Sequence, residues 1–445
     1  MTSVSALSGP LVPMRWAGHS HVCRESVSGG RGLAEWARWF REQGLDYFGF
    51  GHPWEPWDLE IVREWELDPE KCRLYRDEEV WKRTDPSAWC RPERFAAWER
   101  EFSRDGFLFG VDLETPKIRY GHLWWLGWRP EANAPWHDTD RPWTAWETSP
   151  LRDTGAPPPP FRRRYPAEVV RAQADAVPVY AHPTSWWEGA GGRHVTNIAS
   201  TLVPDILTGQ ACGAMVVMGY EANHASYQRL WFEFLNRGYF LTGVAETDAC
   251  LDFPEPFPKA LFQNIATVHE CSPSALREAI RAGRNLMTTG ADLSIECGGA
   301  GPGGFVDANG GEFLLSAAGL APGDTYCLEL IHNAAPVWSR DICGTDSFSC
   351  AVPVHGAGWV VARLVNLSRP HDAALTNPVF LGKQPVRVTA QSVPPVLCPY
   401  WEKSGAQDLL LYLARGDWRR DFPGRAAGDV PPEAFQWERW RDLLF

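Results

Sequence analysis

The stretch from Arg15 to Pro53 constrains the fold more than any other part of the chain. A short run, Arg15-Trp16-Ala17-Gly18, leads into His19-Ser20-His21 and a polar, Gly-rich loop from Val22 to Gly32. Leu33, Trp36, Ala37 and Phe40 then recur at i, i+3, i+4 and i+7, the period of an amphipathic helix, and Gly44 supplies its stop. A second apolar run, Tyr47 to Phe50, delivers Gly51-His52-Pro53. Strand, loop, helix and strand in this order, with histidines at both strand ends, make the repeating unit of α/β barrels, which carry their chemistry where strands end. Residues two apart on an extended segment share one face, so the imidazoles of His19 and His21 are expected to reach a single ion.

The alternation continues downstream. Phe107 to Glu114 reads as a strand ending in Asp112 and Glu114 on one face, and Tyr120 to Leu126 as a strand opened by His122. A helix from about Pro166 to Ala176 leads into Val177 to Tyr180 and then Ala181-His182-Pro183. Ala214 to Met218 delivers Tyr220-Glu221, and a helix with Leu230, Trp231, Phe234 and Leu235 on one face stops at Gly238. Tyr239 to Ala245 delivers Glu246-Thr247-Asp248. A last helix starts at Ser272-Pro273, an N-cap followed by Pro at N1, and ends near Gly283. Two insertions interrupt this order: residues 54–105, charged and Trp-rich, and residues 129–166, Pro- and Trp-rich and suited to a loop or lid.

After Gly290 short alternating runs stand between Gly-rich turns, which predicts an antiparallel β-sandwich over residues 291–385. Gly299, Gly301 and Gly304 match GxGxxG by spacing, but Pro302 lies inside the match and no helical pattern follows, which argues against a nucleotide site. Residues 386–445 form an extension with a terminal helix carrying Phe435, Trp440, Leu443 and Leu444. That helix is expected to dock on its own chain; pairing of two copies into a homo-oligomer is the alternative.

With 445 residues, 44% of them hydrophobic, the chain can bury a large core and is long for one domain. A net charge of -12 without a basic cluster speaks against nucleic acid as a partner. No apolar h-region opens the sequence and no run approaches membrane length, so no membrane association is expected. The 11 cysteines are scattered without CxxC pairs, which fits a reducing cytoplasm better than a disulfide framework. Tryptophan, at 24 residues, is in excess. Core packing accounts for much of it, and indoles beside polar groups also suit a flat or apolar small-molecule substrate.

His19, His21, Asp112 with Glu114, His122, His182 and Asp248 stand at the ends of five separate strand patterns. Any one alone reads as a helix cap or a hydrogen-bonded histidine. Together, imidazoles and carboxylates are the donors of borderline divalent ions such as Zn, Mn or Fe. Two such ions bridged by a carboxylate make a hydrolytic centre.

The order of these residues resembles the polymerase-and-histidinol-phosphatase (PHP) superfamily of metal-dependent hydrolases. His19-Ser20-His21 with Ser28-Gly29-Gly30, Gly110-Val111-Asp112 with Gly121-His122, Ala181-His182-Pro183 and Asp248 are similar to its motifs over roughly residues 14–290. The segment from Ser272 to Thr289, with Ala279-Ile280-Arg281-Ala282-Gly283-Arg284 and then Thr288-Thr289-Gly290, and the run Ala374-Leu375-Thr376-Asn377-Pro378-Val379 further resemble the CehA/McbA branch, named for carbamate ester hydrolases. The resemblance implies a distorted (β/α)7 barrel at residues 1–290 followed by the β-sandwich. It implies His19, His21 and Asp248 on one ion, His122 and His182 on a second, and Asp112 or Glu114 bridging them. Gly51 stands where the superfamily has an acid, and Asp248-Ala249-Cys250 where it has Asp-x-His, so two divalent ions are expected rather than three. His52 becomes a candidate general acid or weak ligand. Trp54, Trp57, Trp186 and Trp187 would wall the pocket. The expected activity is cleavage of a carboxylic or carbamate ester, with a phosphoester, or ligand binding without catalysis, as alternatives.

Overall fold

The computed structural model describes residues 10–21, 33–50, 92–115, 123–127, 175–181, 186–189, 193–196, 213–219, 224–236, 238–247, 249–250, 261–344 and 347–382. The opening unit forms as β1 (Val12–Ala17), β2 (Ser20–His21), α1 (Leu33–Glu42) and β3 (Tyr47–Phe50). Its helix forms because the apolar stripe has somewhere to go: Trp36, Ala37 and Phe40 are buried, and Phe40 stacks on Phe48 with ring centroids 3.8 Å apart. Helix α2 (Pro92–Phe102) precedes β4 (Leu108–Val111), β5 (Leu113–Thr115), β6 (Leu123–Leu126) and β7 (Val177–Tyr180). An antiparallel pair, β8 (Trp186–Gly189) and β9 (Arg193–Thr196), stands apart.

Next come β10 (Ala214–Gly219), α3 (His224–Asn236), β11 (Thr242–Glu246), β12 (Ala249–Cys250) and β13 (Gln263–Val268). Helix α4 (Pro273–Ala282) is capped at both ends as its sequence predicts. Ser272 Oγ accepts from the Ala275 N–H at 3.2 Å, and Gly283 closes the helix in the left-handed region at φ 78°. It lies across the beginnings of β7 and β11, where Arg281 donates to the Ala176 carbonyl and Thr242 Oγ1 to the Ile280 carbonyl.

The remaining strands are β14 (Asn285–Thr288), β15 (Asp292–Cys297), β16 (Phe305–Val306), β17 (Gly310–Ala318) and β18 (Thr325–His332). They are followed by β19 (Ala335–Cys343), β20 (Ser347–His355), β21 (Gly358–Asn366), β22 (Ala373–Thr376) and β23 (Val379–Leu381). The three-stranded sheet β15-β17-β20 packs on β18, β21 and β22 through Ile295, Phe313, Leu315, Leu328, Leu330 and Leu364. Both layers are antiparallel, the arrangement their alternating patterns demand.

The N-terminal part departs from its expectation. Instead of one ring of parallel strands, the described residues form two sheets. One runs β13-β1-β3-β4 and continues through β14 and β22 into the sandwich; the other runs β11-β10-β7-β6-β5. Strand β6 is antiparallel to both neighbours, and β13 is antiparallel to β1. Mixed α/β structure is present as expected, but among the described residues the pairing does not close a (β/α)7 ring. The physical reason lies at Asp112, which interrupts the expected Phe107–Glu114 strand: β4 ends in the first sheet and β5 begins in the second. The two sheets nevertheless share one apolar core, with Met14, Trp16 and Ala266 from the first meeting Trp124, Val179, Val216 and Val244 from the second. The expected helix at 166–176, both insertions except α2 and the residues about it, and the extension at 386–445 lie outside the described residues.

Candidate functional site

The ends of β1 and β11 meet. The Thr247 N–H reaches the Gly18 carbonyl at 3.4 Å, and just beyond, β12 pairs in parallel with β2, Ala249 opposite Ser20 and Cys250 opposite His21. Between these two tethers sits His19, fully buried, with its backbone in the left-handed region at φ 60°. A non-glycine residue pays for that conformation and keeps it only where its surroundings fix it. Here Glu246, the last residue of β11, holds the ring: its Oε2 lies 2.8 Å from His19 Nδ1, and both side chains are inaccessible to solvent. Trp124 stacks against the imidazole, centroids 5.9 Å apart at 26°. The segment expected to be extended through His19 and His21 is broken at His19: β1 stops at Ala17, β2 starts at Ser20, and His19 between them is left-handed.

Asp112 approaches the same place from the junction of β4 and β5. Its Oδ1 accepts from Tyr47 Oη and from the Gly127 N–H, each at 2.9 Å. Its Oδ2 is buried and has no hydrogen-bond partner among the described residues. That oxygen is seated on glycine: a Cβ on Gly49 would overlap it, and one on Gly18 would stand 3.2 Å from it and 2.9 Å from Trp124. Gly18 is the residue before His19, so Oδ2 and the imidazole belong to one small region.

Burial pushes the Asp112 carboxyl up to about 7, restrained by the hydrogen bonds from Gly127 and Tyr47 and by the positive charge of Arg277. The Tyr47 phenol is raised well above its usual value, by burial first and by the neighbouring carboxylate second. A buried acid whose second oxygen lacks a donor either keeps its proton or faces a cation.

Of the residues singled out in the sequence, His19 and Asp112 are both buried, and Asp112 Oδ2 lies against Gly18, next to His19 in the chain. His21 lies in β2 and Glu114 in β5 opposite Trp124, while Trp186 and Trp187 lie in β8; for these four only the backbone is described. His52, Trp54, Trp57, His122, His182 and Asp248 lie outside the described residues. Among the described residues no group of three or more His, Cys, Asp or Glu side chains is gathered as a metal would require. Sequence reasoning missed two members of the site, Glu246 and Tyr47. Glu246 could have been found as the acid two residues before Asp248, at the tip of a strand; Tyr47 carried no signal beyond being apolar and aromatic.

No family model matches the sequence, and no curated protein matches it significantly. Among solved structures the chain is similar to a two-domain protein from Bacteroides vulgatus described as containing a predicted PHP-like metal-dependent phosphoesterase. The two are 13% identical over 83% of this chain and 95% of that one, with a TM-score of 0.36. It is also similar to macromomycin, at 17% identity over 20% of this chain and 99% of that one, with a TM-score of 0.16. At these values neither likeness assigns a fold or a residue role.

Proposed function

We propose that the chain is a metal-dependent hydrolase whose centre is built on His19 and Asp112. The observation that carries this reading is Asp112 Oδ2: a buried carboxylate oxygen without a donor among the described residues, placed against the residue that precedes a histidine whose ring is already oriented. The donor chemistry fits a divalent ion. With Nδ1 engaged by Glu246, the imidazole would ligate through Nε2, in the carboxylate–histidine–metal arrangement that fixes tautomer and raises ligand basicity. Asp112 would ligate through Oδ2 while Tyr47 and Gly127 hold Oδ1. Two ions are proposed, with His21, Asp248, His122 and His182 completing the set. Sequence adjacency supports this: Leu123 pairs with Tyr180, one and two residues from His122 and His182, and Asp248 stands between the tethered Thr247 and Ala249.

Bound ions would supply Lewis acidity and an activated water. The chain itself would orient His19 through Glu246, keep bulk water from Asp112, and offer His52 as general acid for the leaving group. Glu114, two residues beyond Asp112, is the alternative bridge. The proposed substrate is a small molecule with a carboxylic or carbamate ester, set against Trp54, Trp57, Trp186 and Trp187. Elemental analysis of protein purified without chelator should find about two equivalents of Zn, Mn or Fe, the number a bridged centre needs. Metal-loaded protein should hydrolyse p-nitrophenyl acetate faster than p-nitrophenyl phosphate. The reverse preference would make it a phosphoesterase, and absence of metal after supplemented expression would make it a binding module.

A further inference from the structure

Among the described residues, strand β11, which carries Glu246, has a backbone neighbour on one side, β10. On its other side Gly243 and Ala245 turn their peptide groups toward β13 and β14, too far for a ladder, and three buried asparagines fill the gap. Asn264 accepts from the Ala245 N–H and donates to the Ala245 carbonyl, both at 2.8 Å. Asn377 accepts from the Gly243 N–H at 2.7 Å and donates to the carbonyls of Gly243 and Asn285 at 2.8 Å each. Asn285 donates to the Gly243 carbonyl at 3.0 Å and to Asn264 Oδ1 at 2.9 Å, and is itself held by Trp16 Nε1 at 3.2 Å. A side-chain carboxamide has the donor and acceptor of a peptide group, so these residues do for β11 what a neighbouring strand would do.

The seam leads to the site. Gly243, Ala245 and Thr247 face it in turn, and Thr247 is the residue tethered to Gly18. The β10 ladder reaches Glu246, opposite Gly219, only after its register slips between Val216 and Met218, opposite Val244 and Ala245. The asparagines supply a second reference, on the opposite edge of β11. One of them, Asn377, comes from the connection between β22 and β23 in the sandwich, 131 residues after Glu246. It lies in the Thr376-Asn377-Pro378 run that the sequence singled out and that the proposed chemistry leaves unused.

We propose that Asn377 is a positioning residue: through Gly243 it sets the level of Glu246 against His19, which makes the sandwich part of the site. Its metal readout rests on the hydrolase reading; its hydrogen-bond readout does not. The test uses full-length Asn377→Ala beside Asn366→Ala. Asn366 is another buried sandwich asparagine, but it serves Asp324 and the turn at Ser368 and Arg369. In metal-free, 15N-histidine-labelled protein the His19 Nδ1 proton, assigned with His19→Gln, should give a slowly exchanging downfield resonance. Asn377→Ala should lose it and bind Zn2+ about tenfold to a hundredfold more weakly, the usual effect of removing support behind a ligand. Asn366→Ala should lower the melting temperature and change neither. If Asn377→Ala does not accumulate folded, Asn377→Asp, which keeps an acceptor for Gly243 and loses the donor, is read in the same way. Retention of the resonance and of Zn2+ affinity in a destabilised Asn377 variant would overturn the proposal. If the parent binds no Zn2+, the hydrolase reading fails and the resonance still decides this one.

Discussion

A carboxyl group sealed from water keeps its proton until something replaces its hydration. Asp112 has two donors on Oδ1 and none on Oδ2 among the described residues, and its carboxyl is raised from 3.8 to about 7. The sign follows from the direction of the shift. A raised carboxyl favours the folded state fully below its unfolded value, and that contribution is lost as pH rises through the folded value. Metal-free protein should therefore weaken relative to Asp112→Asn between about pH 4 and pH 7, by roughly 4 kcal/mol at most at 1.4 kcal/mol per unit. Asp112→Asn keeps the acceptor for Tyr47 and Gly127 but should lose metal, so the variant should be inactive and, at pH 8 with chelator, the more stable of the two. Urea midpoints at pH 5 and pH 8 measure this, and a pH-independent difference would sink it. Gly49→Ala makes a sharper version: its methyl would occupy the space of Oδ2, displacing the carboxylate and costing metal content as well as stability. Asp112 was legible as a candidate because a carboxylate at a strand tip stands out in sequence. Glu246 and Tyr47 were not, since their roles exist only once β11 meets β1 and β3 meets β4.

At the scale of elements, what sequence announces is what local chemistry decides. Helix α4 begins at Ser272 and ends at Gly283 because a hydroxyl, a proline and a glycine act within one turn of each end. Ser272→Ala should accordingly lower stability by about 1 kcal/mol, the usual worth of such a cap. A thermal melt would show it as a shift of a few degrees with activity intact, and an unchanged melt would mean that packing of Leu276, Ala279 and Ile280 suffices alone. The strands were legible in place but not in direction. Nothing in Tyr120 to Leu126 says that β6 runs against β5 and β7, because alternation is the same read either way. Nor does His19 announce its left-handed backbone, which is imposed from outside by Glu246, Trp124 and the tether at Gly18. Among the described residues no helix is long and apolar enough to cross a membrane.

At the scale of the molecule, residue 290 looks like a boundary in sequence, where helix periodicity gives way to alternation. Hydrogen bonding ignores it. Strand β14, just before, pairs with β22, far after, through Leu286 opposite Thr376 and Thr288 opposite Ala374. On its other edge β14 pairs with β13, so one sheet runs from β1 into the sandwich. A fragment of residues 1–290 would leave the β14 edge open and remove Asn377 from Gly243, whose N–H is buried in the seam. Unpaired buried peptide groups cost about 1–3 kcal/mol each, and an open apolar edge invites aggregation. Leu286 would also lose the apolar cluster it shares with Ala374 and Val379. A folded domain typically holds only 5–15 kcal/mol in reserve, so losses of this kind, added together, should leave the fragment without a cooperative fold. Its expected behaviour is insolubility or a broad, low-enthalpy melt, and a cooperative transition with native near-UV circular dichroism would show that the barrel-like part stands alone. Co-expression with residues 291–445 should restore soluble protein if the continuous sheet is what is missing. Rescue by that second fragment, but not when it carries Asn377→Ala, would place the requirement on the asparagine seam rather than on the β14–β22 ladder.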